Sequence, residues 1–248
     1  MVASKPKSSK PSFRFILVRT EYEMNLGSAA RLMANFGQSP LYLVKPDCMV
    51  GFTAKMYAKH ATNLLEKAVL CNTLKEATKG CTLVVGTTGV LRRHKDALRH
   101  PLMLEEFREK VYSQKHSPNA PIAIVFGAEG NGLTEEELKA CDTLITIPTV
   151  HKYPVMNLSH AFATVLYALC GQSKKISHIR LAASEGEKKA LMETFERIVG
   201  HYRSRLREPD KIELAFKRVM GRALPDAVET RGMLIVLRQA LGELEKKK

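Results

Sequence analysis

Four short segments hold residues whose types and spacing could do chemistry. The first is Arg19-Thr-Glu-Tyr-Glu-Met-Asn25-Leu-Gly27-Ser28-Ala29-Ala30-Arg31. Asn25 reads as a helix N-cap, Gly27 and the small residues after it allow a ligand or another segment to approach closely, and Arg31 follows on the same helix. The second is Gly86-Thr87-Thr88-Gly89, the third is Gly127-Ala-Glu129-Gly-Asn-Gly132, and the fourth is Pro148-Thr-Val-His-Lys-Tyr-Pro-Val155-Met156, which runs into Asn157. The third segment has three glycines but not the dinucleotide-binding spacing, and no GxxxxGK[ST] occurs in the chain. It also enters the acid-led helix Glu135-Glu136-Glu137, whose carboxylates would repel a phosphate. The loop therefore suits a neutral or cationic ligand reached mainly by the backbone. Singly, each loop is a plain strand-to-helix turn and Arg31 a surface arginine. Three small or polar loops at one edge of a sheet are a pocket.

The elements that must place these loops alternate short apolar runs with helical stretches. Strands are predicted at 15–18, 41–44, 83–85, 122–126 and 144–147. Ala29, Leu32, Met33 and Phe36 share one helical face, 135–140 is a short helix, and Leu158 to Cys170 closes this part of the chain. Continuous apolar strands separated by helices predict a mostly parallel sheet covered on both faces. From about Ser184 onward no strand-like run occurs, and three helices are predicted at 188–202, 211–220 and 226–244, punctuated by Pro209 and Pro225. The expected organisation is a disordered basic tail over 1–12, an α/β domain over 13–171 and a small all-helical basic domain over 172–248.

The formal charge of +14 points to a polyanionic partner, most naturally nucleic acid. The charge sits at the ends. Lys5, Lys7 and Lys10 stand in a tail without acids, and 171–248 carries 18 Lys and Arg against 11 Asp and Glu. The five cysteines, Cys48, Cys71, Cys81, Cys141 and Cys170, are odd in number and lack CxxC spacing, which fits a reducing, cytoplasmic compartment. His94, His100, His116, His151 and His160 show no repeated ligand spacing, so no metal is expected. No apolar run approaches the ~20 residues of a membrane span.

Asn25-x-Gly27-x-x-x-Arg31, then Phe126-Gly-x-Glu129-x-x-Gly-Leu133, then Ile147-Pro148 and Asn157-Leu158 resemble, in order, the three motifs of the TrmH-like branch of the SPOUT methyltransferases. Gly132 to Cys141 and the stretch Tyr153 to Asn157 are similar to the group acting on the ribose 2′-oxygen at position 32 of the tRNA anticodon loop, as is the basic tail around 202–239. The resemblance implies a deep trefoil knot at the end of the α/β domain, an exception to the rule against threaded chains, and a homodimer. It implies S-adenosyl-L-methionine as cofactor, held by Thr87, Thr88, Gly89, Gly127, Glu129, Ile147, Pro148, Val155, Met156 and Leu158. Arg31 would be the central catalytic residue, with Asn25 and Asn157 fixing the helix starts that frame it. A guanidinium has a pKa above about 12 and is a poor base, so Arg31 would bind a phosphate and orient the 2′-hydroxyl. Arg19, Arg92 and Arg93 would contact RNA. Val155 stands where the family commonly has a serine, and Arg92-Arg93 follow the threonine loop later than is usual.

Two alternatives remain at this point. One is ribosomal RNA ribose methylation by the same chemistry, whose enzymes usually carry an extra domain before the catalytic one. The other is a non-catalytic RNA-binding protein of this fold, which the intact Asn25, Gly27, Arg31 and Asn157 disfavour.

Overall fold

The computed structural model describes residues 10–89, 101–117, 120–150, 152–171 and 180–246. Arg92, Arg93, most of the basic tail and most of the linker before the helical segment lie outside the described residues. In chain order the first elements are β1 (Phe13–Val18), α1 (Glu23–Asn35), β2 (Leu41–Val44), α2 (Phe52–Ala58), α3 (Thr62–Glu66), β3 (Val69–Cys71), α4 (Leu74–Ala77) and β4 (Leu83–Thr87). There follow β5 (Leu102–Met103), α5 (Leu104–Tyr112), β6 (Gln114–Lys115), β7 (Ile122–Phe126), α6 (Glu135–Ala140), β8 (Thr143–Thr146) and α7 (Leu158–Cys170). The last are β9 (Arg180–Leu181), α8 (Glu185–Tyr202), α9 (Pro209–Ala223) and α10 (Ala227–Lys246).

Seven parallel strands form one sheet in the order β3-β2-β1-β7-β4-β8-β5. The five predicted strands are its centre. Because side chains alternate across a strand, Phe15 and Leu17 enter one core layer with Leu41, Leu43, Ile124 and Phe126, under α1, α5 and α7. Ile16, Val18, Ala123 and Val125 enter the opposite layer with Leu138 and Cys141, under α4 and α6. Runs such as Ile122-Ala-Ile-Val-Phe126 are apolar throughout because both of their faces are covered. Phe162 joins the layers' aromatic centre, 4.9 Å from Phe126 and 5.6 Å from Phe15 between ring centroids.

The helical segment matches the three predicted helices and docks on the sheet rather than standing apart. Ser184 and Glu187 form a reciprocal cap on α8, and Pro209 occupies the first turn of α9. Phe195 and Phe216 stack at 3.8 Å to join α8 to α9. The nearly inaccessible Arg218 donates to the Leu138 carbonyl at 2.7 Å, and the Lys188 ammonium donates to the Thr82 carbonyl at 3.0 Å. Gly221 rides on Asp142, whose carbonyl would lie 2.2 Å from any Cβ placed there. β6 and β9 pair in parallel as a second, two-stranded sheet between the two parts.

Candidate active site

Three loops leave the carboxyl ends of β4, β7 and β8, which are neighbours in the sheet. Strand order changes direction here, since β1, β2 and β3 progress one way while β4, β8 and β5 lie on the other side of β7. Crevices open at such points.

The loop after β4 is tied down from both sides. The Thr87 hydroxyl donates to the Val125 carbonyl at 3.1 Å, and the Thr88 amide donates to the Ile145 carbonyl at 3.0 Å. Gly89 then passes the loop after β8, with the Pro154 carbonyl and Val155 Cα each 3.3 Å from where its Cβ would be. The loop after β7 folds back on itself. The Gly132 amide donates to the Ala128 carbonyl at 2.9 Å, and Gly132 takes φ +66°. A Cβ on Gly127 would fall 2.2 Å from the Gly132 backbone, so this fold-back requires glycine. In the loop after β8, the Thr149 hydroxyl donates to the Pro154 carbonyl at 3.0 Å. Asn157 caps α7 by accepting from the Ser159 amide at 2.9 Å and the Ser159 hydroxyl at 2.7 Å.

Together the loops line an open cleft with about 1000 Å³ of empty space. Thr87, Thr88, Gly89, Gly127, Glu129, Ile147, Val155, Met156 and Leu158 all line it, over a floor that includes Leu133, Ile145 and Val165. Nine of the ten residues expected at a cofactor site are thus brought together. The exception is Pro148, which is exposed and not part of the lining. The turn carries it out of the cleft, and Ile147 alone of that pair faces in.

Asn25 is not the N-cap that its position suggested. Helix α1 begins at Glu23, with Tyr22 as its cap residue, so Asn25 lies inside the first turn. Its side chain is buried and donates to Glu129 Oε1 at 2.7 Å, while Glu129 Oε2 accepts from the Glu21 amide at 2.9 Å. Glu21 in turn accepts from the Gly130 amide at 3.3 Å. The carboxylate of Glu129 therefore bolts the start of α1 to the cleft loop. Spacing cannot show this, since the two partners are 104 residues apart.

Arg19, expected to contact RNA, is likewise engaged. It holds φ 51°, and its guanidinium donates to Glu137 Oε1 at 3.1 Å, to Glu137 Oε2 at 2.9 Å and to the Gly132 carbonyl at 3.0 Å. Glu137 also closes the cap of α6 with Thr134. Burial raises the pKa of the Glu137 carboxyl, but the Arg19 guanidinium and the Thr134 amide outweigh it and hold the group below the usual carboxylate range. The hydrogen bonds that the Arg19 guanidinium donates to Glu137 raise its own pKa further. Through these contacts Arg19 braces the cleft loop.

Arg31 lies on the exposed side of α1, one turn beyond Gly27, and makes no hydrogen bond or ion pair to another described residue. It is not among the residues lining the cleft. One copy of the chain does not unite Arg31 with the pocket. Among the described residues no group of His, Cys, Asp and Glu could hold a metal ion, and no helix is long and apolar enough to cross a membrane.

Residues 12–167 match the SpoU rRNA Methylase family. Over 215 residues the chain is 36% identical to the tRNA (cytidine-2′-O-)-methyltransferase TrmJ of Methanocaldococcus jannaschii, covering 84% of this chain and 90% of that protein. It is 34% identical over 248 residues to the tRNA (cytidine/uridine-2′-O-)-methyltransferase TrmJ of Pectobacterium atrosepticum, covering 95% and 97%. The crystal structure of TrmJ from Z. mobilis ZM4 is similar with a TM-score of 0.66 at 25% identity, over 96% of this chain and 100% of that one.

Proposed function

This chain belongs to the SpoU rRNA Methylase family, and from that premise we propose that it transfers a methyl group from S-adenosyl-L-methionine to a ribose 2′-oxygen of RNA, most specifically at position 32 of the tRNA anticodon loop. The observation that carries the reading is the one cleft made by the loops after β4, β7 and β8. Its chemistry fits that donor. The floor is apolar, as a nucleoside base requires, and the rim offers backbone groups of the glycine and threonine loops. Glu129 is the charged side chain in the lining, and no Lys or Arg of the described residues joins it. An anionic lining suits a sulfonium and disfavours a phosphate-bearing cofactor.

Bound there, the donor supplies an electrophilic methyl carbon. Thr87, Thr88, Gly89, Ile147, Met156 and Leu158 hold it, and Glu129 keeps the β7 loop in place through Asn25 and Glu21. Arg31 takes a phosphate of the RNA and orients the neighbouring 2′-hydroxyl, whose proton leaves to that phosphate or to solvent. Because Arg31 does not line the cleft of its own chain, the working enzyme is a homodimer in which the Arg31 of one copy serves the cleft of the other. Exposed Met24 on α1 and Tyr167 and Val155 on and before α7 supply apolar contact for that pairing. The trefoil knot and the three-part organisation at 12/13 and 171/172 belong to the same reading.

Incubation with radiolabelled S-adenosyl-L-methionine and total tRNA or rRNA, followed by nuclease mapping, tests it. Ribose label in tRNA is expected. Label in a base, or no label in any RNA, would overturn the activity. Mixing Arg31→Ala with Gly127→Ala protein tests the shared site. Recovery of part of the wild-type rate from two inactive variants is expected.

A further inference from the structure

Helix α2 is built the wrong way round for a surface helix. Such a helix normally buries its large apolar residues and exposes small or polar ones. Here the inner face is Ala54 and Ala58, which lie against α1 at Gly27, where a Cβ would be 2.2 Å from the Ala54 carbonyl and 2.7 Å from Tyr57 Cβ. The large residues face out. Phe52 is 83% exposed and Met56 45%, and Met49, just before the helix, is 84% exposed. Phe52, Lys55 and Met56 share one helical face, and exposed Lys59 follows at once. Residues 48–65 contain Lys55, Lys59 and His60 and no Asp or Glu. Lys55 meets Glu66 at 3.5 Å, but both side chains are half exposed, so salt screens that pair.

An exposed apolar patch of this kind marks a contact surface. Its charge selects the partner. Two copies meeting about this patch would set Lys55 and Lys59 against their own duplicates, and like charges across an interface oppose association. A polyanion neutralises them, and an aromatic ring among cations is the composition that binds unpaired nucleotides by stacking. The position agrees. The Ala54 amide donates to Glu23 Oε2 at 3.0 Å, so α2 starts beside the first turn of α1 that Glu129 ties to the cleft. Arg31 is one turn past Gly27, the residue of α1 on which α2 packs.

We propose that α2 is a stacking platform, centred on Phe52 and flanked by Lys55 and Lys59, for an unpaired base of the RNA substrate next to the nucleotide that Arg31 orients. This rests on the reading above that RNA is the substrate.

The chain has no tryptophan, so Phe52→Trp places a single reporter on the platform. Total tRNA should quench its fluorescence, and S-adenosyl-L-methionine alone should not. Phe52→Ala should raise the KM for tRNA about ten-fold, as loss of one stacked base predicts, with the dissociation constant for S-adenosyl-L-methionine unchanged. Lys55→Glu should flatten the salt dependence of tRNA binding. Wild-type methylation of tRNA with no quenching and an unchanged KM in Phe52→Ala would overturn the platform while leaving the proposed function standing. A Phe52→Ala protein that sediments as a smaller species would assign the patch to a second copy instead and also overturn it. Absence of wild-type methylation with quenching intact would reject the activity and leave the platform as an RNA contact.

Discussion

Replacing Arg19 with methionine should loosen the cleft through Glu137, and a double-mutant cycle can measure by how much. The guanidinium makes three donor contacts within 3.1 Å, two to Glu137 and one to the Gly132 carbonyl. A fully exposed ion pair would contribute at most about 1 kcal/mol, whereas hydrogen bonds to charged groups contribute about 1.5–3 kcal/mol each when water is excluded. The side chains here are 26% and 16% exposed, between those limits. Arg19→Met should therefore cost about 2–3 kcal/mol in urea unfolding, because it also strands the Gly132 carbonyl. Glu137→Gln should cost about 1–2 kcal/mol, and the coupling between the two should be about 1–2 kcal/mol. The Glu137 carboxyl is held below its unfolded value, so its contribution is present above the unfolded pKa of about 4.3 and fades as pH falls through the lower folded value. The stability gap between wild type and Glu137→Gln should accordingly close below about pH 4. Calorimetric titration with S-adenosyl-L-methionine should show about ten-fold weaker binding in Arg19→Met, since Gly132 is the backbone against which Gly127 packs. A coupling under about 0.3 kcal/mol, or undiminished binding, would refute the brace.

Glu129→Ala leaves the buried Asn25 amide and the Glu21 amide without an acceptor, and at about 1–3 kcal/mol for each unmet donor thermal unfolding should show a loss of about 2–6 kcal/mol. In Gly127→Ala the new methyl meets the Gly132 backbone at 2.2 Å, so donor binding by calorimetry should weaken at least ten-fold while far-ultraviolet dichroism stays unchanged. Asn157→Ala removes the cap on α7, and the melting temperature should fall by the equivalent of about 0.5–2 kcal/mol. Burial pushes the thiols of Cys48 and Cys81 up to about 11 and those of Cys141 and Cys170 up to about 12. The native protein at pH 8 should therefore react slowly with an aromatic disulfide reagent at these sites, and urea should release them.

The five central strands and the helices at 135–140 and 158–170 were legible because fully covered parallel strands leave unbroken apolar runs and periodic helices leave spaced ones. The segments missed are instructive. β3 is a short edge strand with Leu70 exposed, so its pattern is weak. α2 hides only alanines, which removes the large apolar period that marks a helix. α5 was missed as well, although Leu104, Phe107 and Val111, buried at helical spacing, leave a periodic mark in the sequence.

The same division holds at the site. Residue identity and order were enough to find the cleft, because glycines that must let a backbone pass and loops that must end strands leave local marks. The ten residues named for its lining came from the family resemblance, and nine of them meet there. What each polar side chain does was decided by the tertiary structure. Asn25 looked like a cap because capping is a local event, yet its amide reaches Glu129, and the pairing of Arg19 with Glu137 left no sign because Glu137 is 118 residues away. Arg31 carries no local mark at all. The fold leaves it exposed and outside the cleft of its own chain, a placement that no spacing in the sequence encodes. Hydrogen-bond partners are chosen by distance in space, and a one-dimensional pattern holds that information only when the partners are neighbours along the chain.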